Sequence, residues 1–127
     1  MNLQNIGLVF IGAGAGGSMR HLLNLTLNPL FAPLPLGTLA ANVLGCGAAG
    51  AMLGLLTARA ELDLTLRPLL VTGFLGGLTT FSSFSLEVLN ALETGRPLLA
   101  AGTVAVHVVA SLLAALLGLW LVRALLA

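Results

Sequence analysis

The chain has 127 residues, of which 58% are hydrophobic and 7% charged, where an ordinary soluble domain has roughly a quarter of its residues charged. A net charge of +1, the absence of lysine and a mean hydropathy of +1.10 exclude a disordered chain, a nucleic-acid-binding surface and a solvated globular enzyme, because the polar groups are too few for any of them. A lone cysteine, Cys46, excludes an intrachain disulfide and a multi-cysteine metal site, so the composition is that of an integral membrane protein.

Residues 1–19, 21–58, 68–86 and 97–122 contain no Asp, Glu, Lys or Arg. A spanning helix needs roughly 20 apolar residues. The second stretch is too long for one helix and is interrupted by Asn28-Pro29, Pro33 and Pro35, where proline removes a backbone donor and disfavours a helical residue before it. Four spans are therefore predicted, at 5–27, 36–57, 68–92 and 98–126, in a single all-α transmembrane domain. The connections are a proline-rich turn, a loop with Arg59, Glu61, Asp63 and Arg67, and the turn Thr94-Gly95-Arg96-Pro97.

The first span lacks the basic start of a cleaved signal peptide, and three more spans follow, so it counts as structure. Its glycines spell Gly12-x-Gly14-x-x-Gly17. A dinucleotide fingerprint needs an acid roughly 20 positions on, and the first acid here is Glu61. Helix packing explains the glycines better. Small residues four apart, at Gly12/Gly16, Gly50/Gly54 and Gly73/Gly77, form surfaces for close helix approach, within the chain or between copies. Four helices are few for a protein-walled pore, so they favour an oligomer.

An even number of spans puts both termini on the side of the middle loop. That side carries Arg59, Arg67 and Arg123, and the other carries Arg20 and Arg96. Orientation normally follows an excess of basic residues. This near-balance allows insertion both ways and hence an antiparallel homodimer.

The third span is the richest of the four in polar residues. Residues 72–87 read TGFLGGLTTFSSFSLE. Gly76-Gly77 weakens a helix by about 1 kcal/mol per glycine relative to alanine, and irregular backbone at membrane depth is tolerated only where protein buries it or a polar site uses it. An interruption is therefore predicted there. Phe81 and Phe84 share a helix face in the hydroxyl-rich stretch, where the electropositive edge of a ring can meet an anion without a full charge to trap it. In the fourth span His107 and Ser111 share a face; His107 is read as a neutral, hydrogen-bonded packing residue. Glu87 belongs at a pore mouth or at the end of a polar helix face, Trp120 at the interface, and Cys46 as a small packing residue.

The run Gly73-Phe74-Leu75-Gly76-Gly77-Leu78-Thr79-Thr80-Phe81-Ser82-Ser83-Phe84-Ser85 resembles the signature of the Fluc (CrcB-type) fluoride channels. The stretches 37–45 (GTLAANVLG) and 12–20 (GAGAGGSMR) are similar to the corresponding family segments, so the resemblance covers essentially the whole chain. It implies an antiparallel, dual-topology homodimer in a prokaryotic cytoplasmic membrane, with two pores that passively export fluoride and reduce its toxicity. It also implies a structural sodium ion at the dimer centre, bound by carbonyls at a break in the middle of the third helix. Matching the motifs places those carbonyls on Gly76 and Thr79 and the pore on Asn42, Phe81, Phe84 and Ser111, with the hydroxyls of Thr80 and Ser83 beside it and Arg20 in the vestibule. Asn42 would offer two N–H donors and no charge, useful for replacing water around a small anion.

A small multidrug transporter, also a dual-topology four-helix dimer, needs a membrane carboxylate in its first helix, which this chain lacks. A purely structural subunit does not require the hydroxyl and phenylalanine stripe. An enzyme is the weakest of the rival readings, with no Ser/His/Asp grouping within reach and no metal-ligand spacing such as HExxH.

Overall fold

The computed structural model describes residues 3–62 and 66–127; Asp63 of the predicted middle loop lies outside them. The described chain is helical: α1 (Leu3–Leu27), α2 (Leu36–Ala58), α3 (π-helical over Arg67–Leu75 and α-helical over Gly76–Leu78), α4 (Phe81–Glu93) and α5 (Pro97–Leu126). Four segments are long and apolar enough to cross a membrane: Leu3–Leu30, Leu36–Ala58, Arg67–Glu93 and Pro97–Leu126. The first turn is held by Asn28, whose side-chain oxygen accepts the Gly37 N–H at 2.7 Å. The last reverses at Gly95, whose φ of 71° is open to glycine at little cost.

Two helix pairs organise the described chain. α1 packs on α3, and α2 on α5. Glycine sets both distances. A Cβ at Gly12 would strike the Leu69 carbonyl, one at Gly16 the Phe74 carbonyl, and one at Gly77 the Ala13 carbonyl. Across α2 and α5, a Cβ at Gly50 would meet the Ala115 carbonyl and one at Gly118 the Gly47 carbonyl. The small-residue pairs Gly12/Gly16, Gly73/Gly77 and Gly50/Gly54 are thus used within the chain, and they lend no support to an oligomer. Gly118→Ala or Gly50→Ala is expected to destabilise the fold by about 1–3 kcal/mol, the usual cost of overpacking. Gly14→Ala, with nothing near its Cβ, is expected to leave thermal unfolding unchanged.

Gly76 and Gly77 are helical. The extended backbone comes two residues later, at Thr79 (φ −77°, ψ 153°) and Thr80 (φ −150°, ψ 119°). The expected interruption at the double glycine is corrected accordingly: Gly77 is needed for close approach to α1, and the change of direction falls on a β-branched pair suited to extended backbone. Here the chain changes partners. α3 lies against α1, whereas α4 lies against α5.

Candidate functional site

Where α4 leaves α1 for α5, an open-sided hollow of about 370 Å³ forms against α2. Asn42, Thr80, Phe81, Phe84, His107 and Ser111 all line it. α2 presents Asn42, with Cys46 one turn on; α5 presents His107 and Ser111, also one turn apart. The wall is mainly apolar, and with His107 neutral none of its lining groups bears a full charge.

The extended pair is held by a side chain from α2. Asn42 Oδ1 accepts the Thr80 N–H at 2.7 Å, and Asn42 Nδ2 donates to the Thr80 carbonyl at 3.0 Å. The amide can point only one way, since the backbone N–H must donate and the carbonyl must accept. Its second Nδ2 hydrogen faces His107 Nδ1 at 3.4 Å. Of the two N–H donors that Asn42 was expected to offer an anion, one is thus used by the Thr80 carbonyl and the other lies beside His107 Nδ1.

Thr80 is also the N-cap of α4. Its hydroxyl accepts the Ser83 N–H and donates to Ser83 Oγ, each at 3.1 Å. Ser83 thus belongs to the cap. Thr80→Val keeps the shape and the backbone contacts with Asn42 but removes the cap, with an expected loss of about 1 kcal/mol of stability. Thr80→Ser should retain it. Thermal unfolding of the purified protein distinguishes the two.

These contacts redirect the local backbone donors. In a continuous helix the Thr80 N–H would serve the Gly76 carbonyl, and the Ser83 N–H would serve the Thr79 carbonyl. Here the first goes to Asn42 and the second to the Thr80 hydroxyl. The neighbouring Gly77 carbonyl accepts from Arg20 Nε at 3.1 Å. Arg20 is therefore tied to the backbone beside Gly76 and does not line the hollow.

Phe81 and Phe84 have ring centroids 5.5 Å apart with planes tilted by 55°. Phe84 is buried and lies 4.8 Å from the His107 ring, whereas Phe81 is 79% exposed in the isolated protomer. The largely buried carboxylate of Glu87 lies beside His107. Its Oε2 is 3.9 Å from His107 Nε2, and it lines a second hollow of about 70 Å³ with Thr103, Asn90 and Arg96. His107 lines the first hollow and Glu87 the second, so this pair stands between the two. Sequence reasoning missed the buried Thr38 and Thr103 of this polar line. The available signal was Thr103, His107 and Ser111 recurring every four residues on an otherwise apolar helix.

The model of the CrcB-like protein family, described as Camphor Resistance, matches residues 7–119. The chain is 48% identical over 124 residues to the fluoride-specific ion channel FluC of Dechloromonas aromatica, covering 98% of this chain and 92% of that protein. It is 47% identical over 117 residues to the channel of the same name from Tolumonas auensis, covering 92% of each. It is 44% identical over 123 residues to that of Burkholderia cenocepacia, covering 97% of this chain and 96% of that protein.

Proposed function

Because this chain belongs to the CrcB-like family of fluoride channels, membrane proteins that carry an ion rather than catalyse a reaction, we propose that it conducts fluoride passively and selectively. It does so as an antiparallel homodimer with two pores in a prokaryotic cytoplasmic membrane, and the outward leak reduces fluoride toxicity.

The observation that carries this reading is the hollow itself. Two successive helices place Phe81, Phe84 and Ser111 around one hollow without a fixed positive charge. Fluoride is small and strongly hydrated. Its shell is replaced by hydroxyl donors and by the electropositive edges of Phe81 and Phe84. A lysine or arginine in the same place would bind the anion and hold it; these weaker donors let it leave. Selection against chloride follows from the width of the space and the placement of donors.

Dimerisation is supported by two features. Phe81 is a large aromatic left uncovered beside the hollow, and a second copy would close the open side. The arginines at the two ends are nearly balanced, so neither orientation is favoured.

A sodium ion at the dimer centre fits the donor set. The Gly76 and Thr79 carbonyls have had their helical N–H partners redirected, and neutral carbonyl oxygens suit a hard monovalent cation. Two chains supply two such carbonyls each. Held there, such an ion would supply a buried positive charge to offset the anion. Within the protomer a Cβ at Gly76 meets only the Val71 carbonyl, at 3.8 Å, so any loss caused by Gly76→Ala reports on the assembly.

The reading is tested with purified protein in liposomes loaded with fluoride and chloride. Fluoride should leave without a proton gradient while chloride stays. Equal release of both ions, or a flux that requires a proton gradient, overturns it.

A further inference from the structure

We propose that Asn42 is a positioning residue for the central cation: by pairing with the backbone of Thr80, it keeps the Gly76 carbonyl free to bind sodium. The inference rests on the sodium reading above and assigns that site a determinant on a different helix.

Thr80 is buried and extended. A buried backbone N–H and C=O need partners, and Asn42 supplies both through contacts of 2.7 and 3.0 Å. This is the reciprocal exchange of a hydrogen-bonded pair in an antiparallel sheet, provided here by one side-chain amide. Leucine has nearly the same size as asparagine but neither group. Without the amide, the Thr80 N–H is left buried and unpaired. Its nearest backbone remedy is to rotate back into the helix and donate to the Gly76 carbonyl. That movement removes a ligand from the cation in each protomer.

The same amide reaches His107 in the wall of the hollow. Asn42 therefore touches both the hollow and the backbone of Thr80, whereas Ser111 touches the hollow alone. A residue that served only as an anion donor would have no need to pair with the Thr80 N–H.

The test is the sodium dependence of dimer stability. Wild type, Asn42→Leu and Ser111→Ala are purified, and thermal unfolding is followed as sodium chloride replaces N-methylglucamine chloride at constant ionic strength. In wild type the midpoint should rise with sodium. Asn42→Leu should need at least about tenfold more sodium for half of the effect, a factor worth about 1.4 kcal/mol. Ser111→Ala, which alters the hollow but does not contact Thr80, should keep the wild-type sodium response. Asn42→Ser, too short to make either contact, serves as the second variant if leucine prevents folding, with the same expected shift. A wild-type sodium response in the leucine or serine variant overturns the role of Asn42 while leaving the sodium site standing. No sodium response in wild type overturns the sodium reading and this inference with it.

Discussion

Phe81→Ile and Phe84→Ile are each expected to lower fluoride efflux from liposomes by at least about tenfold, equivalent to about 1.4 kcal/mol in the conduction barrier, while the dimer still elutes as wild type. Isoleucine keeps the apolar bulk. It removes the ring edge, whose partial positive charge can face an anion. The two positions separate packing from conduction. Phe84 is buried against His107 at 4.8 Å, so its replacement also disturbs the core, with a stability loss of up to about 1.5 kcal/mol for a hydrophobic swap of similar size. Phe81 is 79% exposed in the protomer, so its replacement leaves the protomer's folding nearly unchanged. A large loss of flux in Phe81→Ile with normal thermal unfolding identifies a pore contact. Wild-type flux in both variants makes the phenylalanines packing residues and removes them from the pore.

Forcing one orientation is expected to abolish function. Four spans would put both termini on the side of Arg59, Arg67 and Arg123, opposed by Arg20 and Arg96, and such a narrow balance is tipped by few charges. Lysines added at both termini should hold that side in the cytoplasm and leave no antiparallel partner. Fluoride resistance of the host and efflux from liposomes should both disappear. Co-expression with a second copy biased the opposite way, by lysines in the 94–97 turn, should restore them. Undiminished activity of the single-orientation protein alone contradicts the antiparallel dimer.

The difference between what the sequence revealed and what it concealed follows the range of the interactions. Helix number and extent depend on local properties, namely charge-free length and the prolines at 29, 33 and 35, and these were legible. The phenylalanine pair and Ser111 were legible as helix faces. The contact between Asn42 and Thr80 was not, because it joins residues 38 positions apart and has no local periodicity. Asn42 alone looks like a polar side chain awaiting a ligand; only its partner shows that both ends of the amide are engaged. The double glycine misled for a related reason. Low helix propensity at Gly76-Gly77 was real, but the need for close contact between Gly77 and Ala13 decided its use, and the extended backbone moved to Thr79 and Thr80. The surroundings of His107 were hidden likewise, since Asn42, Phe84 and Glu87 reach it from two other helices.

Fluoride selectivity is tested most directly by the reversal potential of the current through a planar bilayer containing the purified protein. With tenfold more sodium fluoride on one side and chloride equal on both, a fluoride-selective channel reverses at about 59 mV, the value for one monovalent ion per tenfold gradient, with the sign of an anion. Replacing chloride on either side should not move it. A reversal near zero, one of cationic sign, or one that follows chloride would contradict conduction by a fluoride-selective pore.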